Sequence, residues 1–301
     1  MKQIKYLCVV AFLLLFSFEL YSQSTLNHTG LYGVYRYINN AGISNREQFM
    51  FRDPDRIEFI DDIAGVNKIG TYILEVDYGV PFLNIRWSDG TTERYLMLSS
   101  DNFICLYDNN SEPVFFGWHY THEFADLDRM FSIPGVEFLA VTDHTGRDFD
   151  MLARLRNVTA SSTLAEGNIR YPATPERLGL HINRVWAANG GINERLYVTV
   201  RGLEEVMHLY ISVGYVHYSQ PNLYLENSRP RKIRISSAET GEFMDVELVD
   251  TPNFQRIPIR FLVSNWHEDN DLIIEILEIY PGTKFNHMSI NSVMEYGAVG
   301  P

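Results

Sequence analysis

The sequence predicts an all-β protein built in two units, with little helix. Three observations carry that expectation. Aromatic residues make up 13% of the chain, and with the β-branched residues they suit a pleated, half-buried surface. Apolar residues recur with a period of two along many short segments. Between those segments Pro, Gly, Asn and Asp gather, which is turn chemistry.

The first strands lie in a meander. Leu31, Gly33, Tyr35 and Tyr37 fall on one side of a period-2 segment, and Arg56-Ile57-Glu58-Phe59 repeats the alternation. Tyr72, Leu74, Val76 and Tyr78 share one face with Glu75 and Asp77 opposite, the pattern of an antiparallel sheet with one wet side. Leu83 to Trp87, Ser88-Asp89-Gly90-Thr91 and Tyr95 to Leu98 read as a hairpin, because Asp-Gly supplies the positive φ of a tight turn. Phe103 to Tyr107 and Val114 to Trp118 add two strands. Seven or eight strands of this kind are most simply arranged as a small antiparallel barrel or half-barrel, spanning residues 24–120.

Residues 121–156 read as a junction, where Phe124 to Met130 and Phe149 to Leu155 each suit a short helix. Strand rhythm returns at Leu196 to Val200 and in Met207, Leu209, Ile211 and Val213. It continues through Lys232 to Ile235, Val246 to Leu248, Ile259 to Val263 and Leu272 to Tyr280. Regularly spaced strands with polar turns predict a sandwich over residues 157–301.

Residues 1–23 read as a secretory signal: Lys2 and Lys5, an apolar run from Leu7 to Phe18, then Glu19 to Gln23. The run is too short to cross a bilayer as a helix, which takes about 20 residues. Export to the periplasm, the outer envelope or the medium is therefore expected, without direct membrane insertion. Losing two lysines and one glutamate takes the net charge of −13 to −14. Such an acidic surface repels phosphate backbones, so nucleic acid is not an expected partner. Cys8 lies in the apolar run, leaving Cys105 alone and no intramolecular disulfide possible. Cys105 sits in the apolar strand Phe103-Ile104-Cys105-Leu106-Tyr107, where a thiol behaves as a small hydrophobe.

Several separated pieces of the second half stand in order: Val158-Thr159-Ala160-Ser161-Ser162-Thr163-Leu164 with Tyr171-Pro172, Trp186-Ala187, Glu194-Arg195-Leu196, Gly214-Tyr215 and Tyr224 with Asn227-Ser228-Arg229-Pro230-Arg231-Lys232-Ile233. Leu248-Val249-Asp250, Glu278 to Lys284 and Ser289-Ile290 complete the set, which covers about half of the chain after the signal. Together they resemble NADase-type glycan-binding domains, a family related to discoidin and galactose-binding folds. The chain departs from the family where members often carry Asp-Gly, having Leu178-Gly179-Leu180-His181-Ile182-Asn183-Arg184 instead. The resemblance implies a jelly-roll (galactose-binding-like) sandwich with a non-catalytic binding role, its ligand residues on loops at one end. No NAD cleavage follows from it.

The candidate ligand-binding residues are Trp186, Asn189, Tyr218, Asn222, Asn227 and Arg229. Trp186 either stacks on a sugar face or plugs the core. Asn227 and Arg229 either hold hydroxyls through amide and guanidinium donors or tie a loop to the sheet. Gly214-Tyr215 marks a turn or bulge that glycine favours. His119-x-x-His122-Glu123 and Asp143-His144 with Arg147, Asp148 and Asp150 are read as surface residues, not as metal or hydrolytic sites. No Gly-x-Ser-x-Gly elbow, Walker loop, dinucleotide glycine pattern or Cys-x-x-Cys occurs. The expectation is a protein without enzymatic activity or cofactor, whose partner is a glycan. The alternatives are an envelope scaffold binding another protein, and a barrel pocket for an apolar ligand lined by Tyr35, Tyr72, Leu74 and Trp87.

Overall fold

The computed structural model describes residues 33–39, 42–52, 55–61, 64–100, 103–120, 138–143, 149–201, 205–264 and 268–299. The signal segment, the helix expected over Phe124 to Met130, His122-Glu123 and the turn residues His144, Arg147 and Asp148 lie outside them.

Eight strands follow one another with antiparallel pairing: β1 (Gly33–Asn39), β2 (Gly42–Arg52), β3 (Arg56–Asp61), β4 (Val66–Asp77), β5 (Val80–Trp87), β6 (Thr92–Ser99), β7 (Phe103–Tyr107) and β8 (Pro113–Tyr120). β8 returns to β1, with Val34 opposite Tyr120 and Tyr37 opposite Gly117, so the sheet closes into a barrel. The expected hairpin joins β5 to β6. Gly90 has φ of 88°, and Asp89 Oδ1 accepts from the Thr91 amide at 2.8 Å and hydroxyl at 2.6 Å. A second tight turn joins β4 to β5 at Tyr78-Gly79, both with positive φ, the conformation that matches strand twist.

Alternation decides what each strand buries. Phe49, Phe51, Ile57, Tyr72, Leu83, Ile85, Trp87, Met97, Ile104, Leu106 and Phe115 form one core cluster, with Phe59, Leu74 and Tyr95 packed on it. Their neighbours of opposite parity on β5 to β8 are apolar too: Phe82, Leu96, Leu98, Phe103, Cys105 and Phe116 join Leu180, Ile182, Tyr210, Phe254 and Tyr296 of the second half in another cluster. The barrel wall from β5 to β8 is thus buried on both faces, which is why β7 has no polar residue. Val76 and Tyr78, expected beside Tyr72 and Leu74 on the dry face, are each 56% exposed. β4 overruns the wall there, pairing Asp77 with Val80 at the hairpin tip.

The second half contributes β9 (Phe138–Asp143), β10 (Phe149–Arg154), β11 (Asn157–Ala160), β12 (Ala165–Glu166), β13 (Ile169–Arg170), β14 (Trp186–Ala187), β15 (Arg195–Val200) and β16 (Glu205–Val213). After one helical turn, α1 (Leu223–Glu226), come β17 (Arg229–Ser237), β18 (Phe243–Glu247), β19 (Gln255–Pro258), β20 (Asn270–Tyr280) and β21 (Ser289–Val299). One sheet runs β19-β16-β21-β10-β9 with β14 also on β21, and the other runs β11-β15-β20-β17-β18. Between them lies one apolar core that takes Leu209 and Ile211 from β16, Val198 from β15, Ile233 from β17, and Ile274 and Ile276 from β20.

Two local expectations are corrected. Phe149 to Leu155 is not helical: β10 pairs along its length with β21 and with β9, because the edge of β21 satisfies its backbone groups and tertiary pairing outweighs local preference. The sandwich therefore begins inside the stretch expected as a junction. Ile259 to Val263 is not a strand either. Pro258 ends the β19 ladder opposite His208, since proline has no N–H to continue it. The run then folds into a 3-10 turn, Arg260–Leu262, that drops Ile259 and Leu262 into the core.

One buried charge gives this core a pH signature. Glu295 on β21 is fully buried, and its carboxylate meets the Arg201 guanidinium and backbone amide. Burial raises its pKa from 4.5 to about 7, with Arg201 opposing the rise. The folded chain then holds a proton that the unfolded chain releases, so stability falls as pH climbs through that window and levels off above it. Glu295→Gln is expected to flatten the fall in urea midpoints across the window, and an unchanged slope would refute the assignment.

Candidate functional site

At one end of the sandwich, segments far apart in sequence enclose a cleft of about 170 Å³. Its walls hold Tyr171 after the β12-β13 hairpin, Tyr215 after β16, Leu223 of α1, and Phe285 with His287 on the run into β21. Glu166 and Gln220 stand at its edge and Ser289 at its floor.

The loop that places Tyr215 is forced by glycine. Gly214 has φ of 89° and lies against the Tyr224 ring, where a Cβ would come within 2.6 Å. Tyr171 and Tyr215 meet edge to face with ring centroids 6.2 Å apart. Phe285 and His287 stack at 5.1 Å. Burial raises the Tyr215 phenol to about 12 and lowers the His287 imidazole below its ordinary 6.5. Both groups are therefore neutral at pH 7, and each offers a donor and an acceptor. Glu166 accepts from the Tyr171 hydroxyl at 3.4 Å. The Ser289 hydroxyl is buried and has no hydrogen-bond partner among the described residues.

The six residues singled out from sequence are divided by the fold. Trp186 is 0% exposed and donates its indole N–H to Ser162 O at 3.0 Å; it plugs the core, while its neighbour Ala187 faces the cleft. Asn227 lines the cleft, and its side-chain amide donates to Leu223 O at 2.8 Å. Arg229 lies behind the cleft, 4% exposed, with its fork on Asp250 and two carbonyls. These two tie the loop to the sheet. Asn222 caps α1 without a side-chain bond, and Asn189 is exposed beside the network in which Ser161, Ser162 and Glu194 hold its loop.

Tyr218 turns toward the barrel. Its hydroxyl donates to Arg94 O at 3.0 Å and its ring meets Phe82 at 5.5 Å. The segment that departs from the resembled pattern does the same: His181 and Arg184 both reach Glu112, at 3.0 and 3.2 Å, and Leu180 and Ile182 join the barrel–sandwich cluster.

Tyr171, Tyr215 and Ser289 fall within the family-like pieces of the sequence without a role of their own there, and nothing in the sequence marks Glu166, Gln220, Phe285 or His287. Gly214, which turns the chain toward Tyr215, and Asn227 are the sequence signals that point to the cleft. A trough of about 580 Å³ on the barrel, between Thr71, Glu75, Asn84, Arg86 and Arg94, is larger; the aromatic residue that borders it, Tyr72, is buried in the barrel core and offers no exposed ring face there. No family model matches the chain, and no curated protein matches it.

Proposed function

We propose that this chain is an exported, non-catalytic binding protein that holds one sugar ring of a glycan in the rim cleft, its two sheets forming a jelly-roll of galactose-binding type. The observation that carries the reading is the pairing of aromatic surfaces, Tyr171 with Tyr215 and Phe285 with His287, beside uncharged hydroxyl, amide and imidazole groups. Ring faces suit the C–H face of a pyranose. The neutral groups and the Glu166 carboxylate suit its hydroxyls, which both donate and accept. The volume suits a single six-membered ring, since a cavity of about 150 Å³ holds benzene.

The test is a glycan array on the full exported chain, followed by calorimetry on any sugar retained. Tyr215→Ala is expected to weaken binding by about tenfold or more, through loss of a platform worth about 1.5 kcal/mol. Tyr197→Ala, on an exposed strand face away from the cleft, should leave it unchanged. Absence of binding to every glycan, or equal affinity of the Tyr215 variant, would sink the reading.

A further inference from the structure

The barrel has a second cavity. Small barrels are usually filled by their own side chains, but at the end where β4 and β6 begin and β5 ends, about 220 Å³ remains open. Phe49, Phe59, Trp87, Tyr95 and Phe115 wall it with rings; Phe49 meets Phe59 at 4.9 Å and Phe115 edge-on at 4.7 Å.

The polar groups at this mouth cancel one another. Lys68 Nζ lies 3.5 Å from Glu93 Oε1, and the Tyr95 hydroxyl donates to Glu93 Oε2 at 2.9 Å. The set offers no net charge to a guest. One donor stays unused: the Trp87 indole N–H is buried and has no partner among the described residues. A buried N–H without an acceptor is unfavourable, and a guest that brings one removes the defect. Lys68 lies over that ring, its ammonium 5.4 Å from the Trp87 centroid.

We infer that the barrel mouth is a binding site for an uncharged, single-ring molecule carrying one hydrogen-bond acceptor, a ketone, ether or ring nitrogen, directed at Trp87. The apolar walls set the ring and the orphaned donor sets the acceptor. The site is separate from the rim cleft, so its fate does not depend on the glycan reading.

The test compares acetophenone with α-methylstyrene, which has the same shape but a methylene in place of the carbonyl oxygen. Each is titrated into the full exported chain by calorimetry and by indole N–H resonances. Acetophenone is expected to bind about tenfold more tightly, the effect of one hydrogen bond, and to shift the one resonance that Trp87→Phe removes. In Trp87→Phe the two probes should bind alike. Val114→Trp, at a rim position that is 39% exposed, should block both while the circular dichroism is kept. Failure of both probes to bind the native chain, a carbonyl preference that survives Trp87→Phe, or binding that survives Val114→Trp would overturn the proposal.

Discussion

Replacing Arg229 by alanine is expected to lower the stability of the chain by about 3 kcal/mol or more, the usual cost of breaking a buried charged network by removing one partner. The side chain donates from Nε and Nη2 to the two Asp250 oxygens at 2.7 and 2.8 Å, and from Nη1 to the Tyr224 and Asn227 carbonyls at 3.0 and 2.7 Å. Its guanidinium also lies 4.9 Å from the Tyr224 ring centroid, and the Tyr224 hydroxyl donates to Asp250 at 2.9 Å. Removing the fork strands two carbonyls and a carboxylate together. Asp250 is partly exposed and regains water, which holds the cost near the lower end. Arg229→Lys should recover little, since an ammonium cannot reproduce the planar bidentate geometry. A urea midpoint within experimental error of the native chain, for either variant, would show that the network is not what fixes this loop.

The same network explains why the site was harder to read than the fold. Period-2 alternation and the Asp89-Gly90 turn led to the barrel hairpins, because one strand's pattern and one turn's φ are local properties. Tyr171, Tyr215 and Phe285 carry no mutual signal, since three loops bring them together only after the sandwich has formed. Arg229 and Asn227 stood out as polar residues near a predicted loop, and their chemistry serves equally to hold a ligand or a carbonyl. Only burial separates those uses, and burial follows from the partner elements. Phe149 to Leu155 departs from the helical expectation for a related reason: a short apolar segment takes whichever conformation its neighbour can pair, and here β21 supplies an edge. The segment from Leu178 to Arg184 is the converse case. Its departure from the resembled pattern has a physical occasion in the barrel beside it, since Leu180 and Ile182 need apolar cover that an isolated sandwich would not provide.

That barrel contact leads to the other large effect. Phe103→Ala is expected to cost about 3–5 kcal/mol, the range for deleting a buried aromatic ring. Phe103 lies 5.0 Å from Phe116 within the barrel, and 5.2 and 5.1 Å from Tyr210 and Phe254 of the sandwich. The ring thus stands in the seam. Beside it the backbones are joined as well: Phe254 donates its amide to Ser99 O at 2.9 Å, and Asn253 Oδ1 accepts from the Ser99 amide at 3.0 Å. If this seam makes barrel and sandwich one cooperative unit, the native chain unfolds in a single calorimetric step, and the variant melts earlier or in two steps as the halves lose their mutual support. A native chain that already melts in two well-separated steps, with Phe103→Ala moving only one of them, would mean that the halves are thermodynamically independent despite the shared apolar wall.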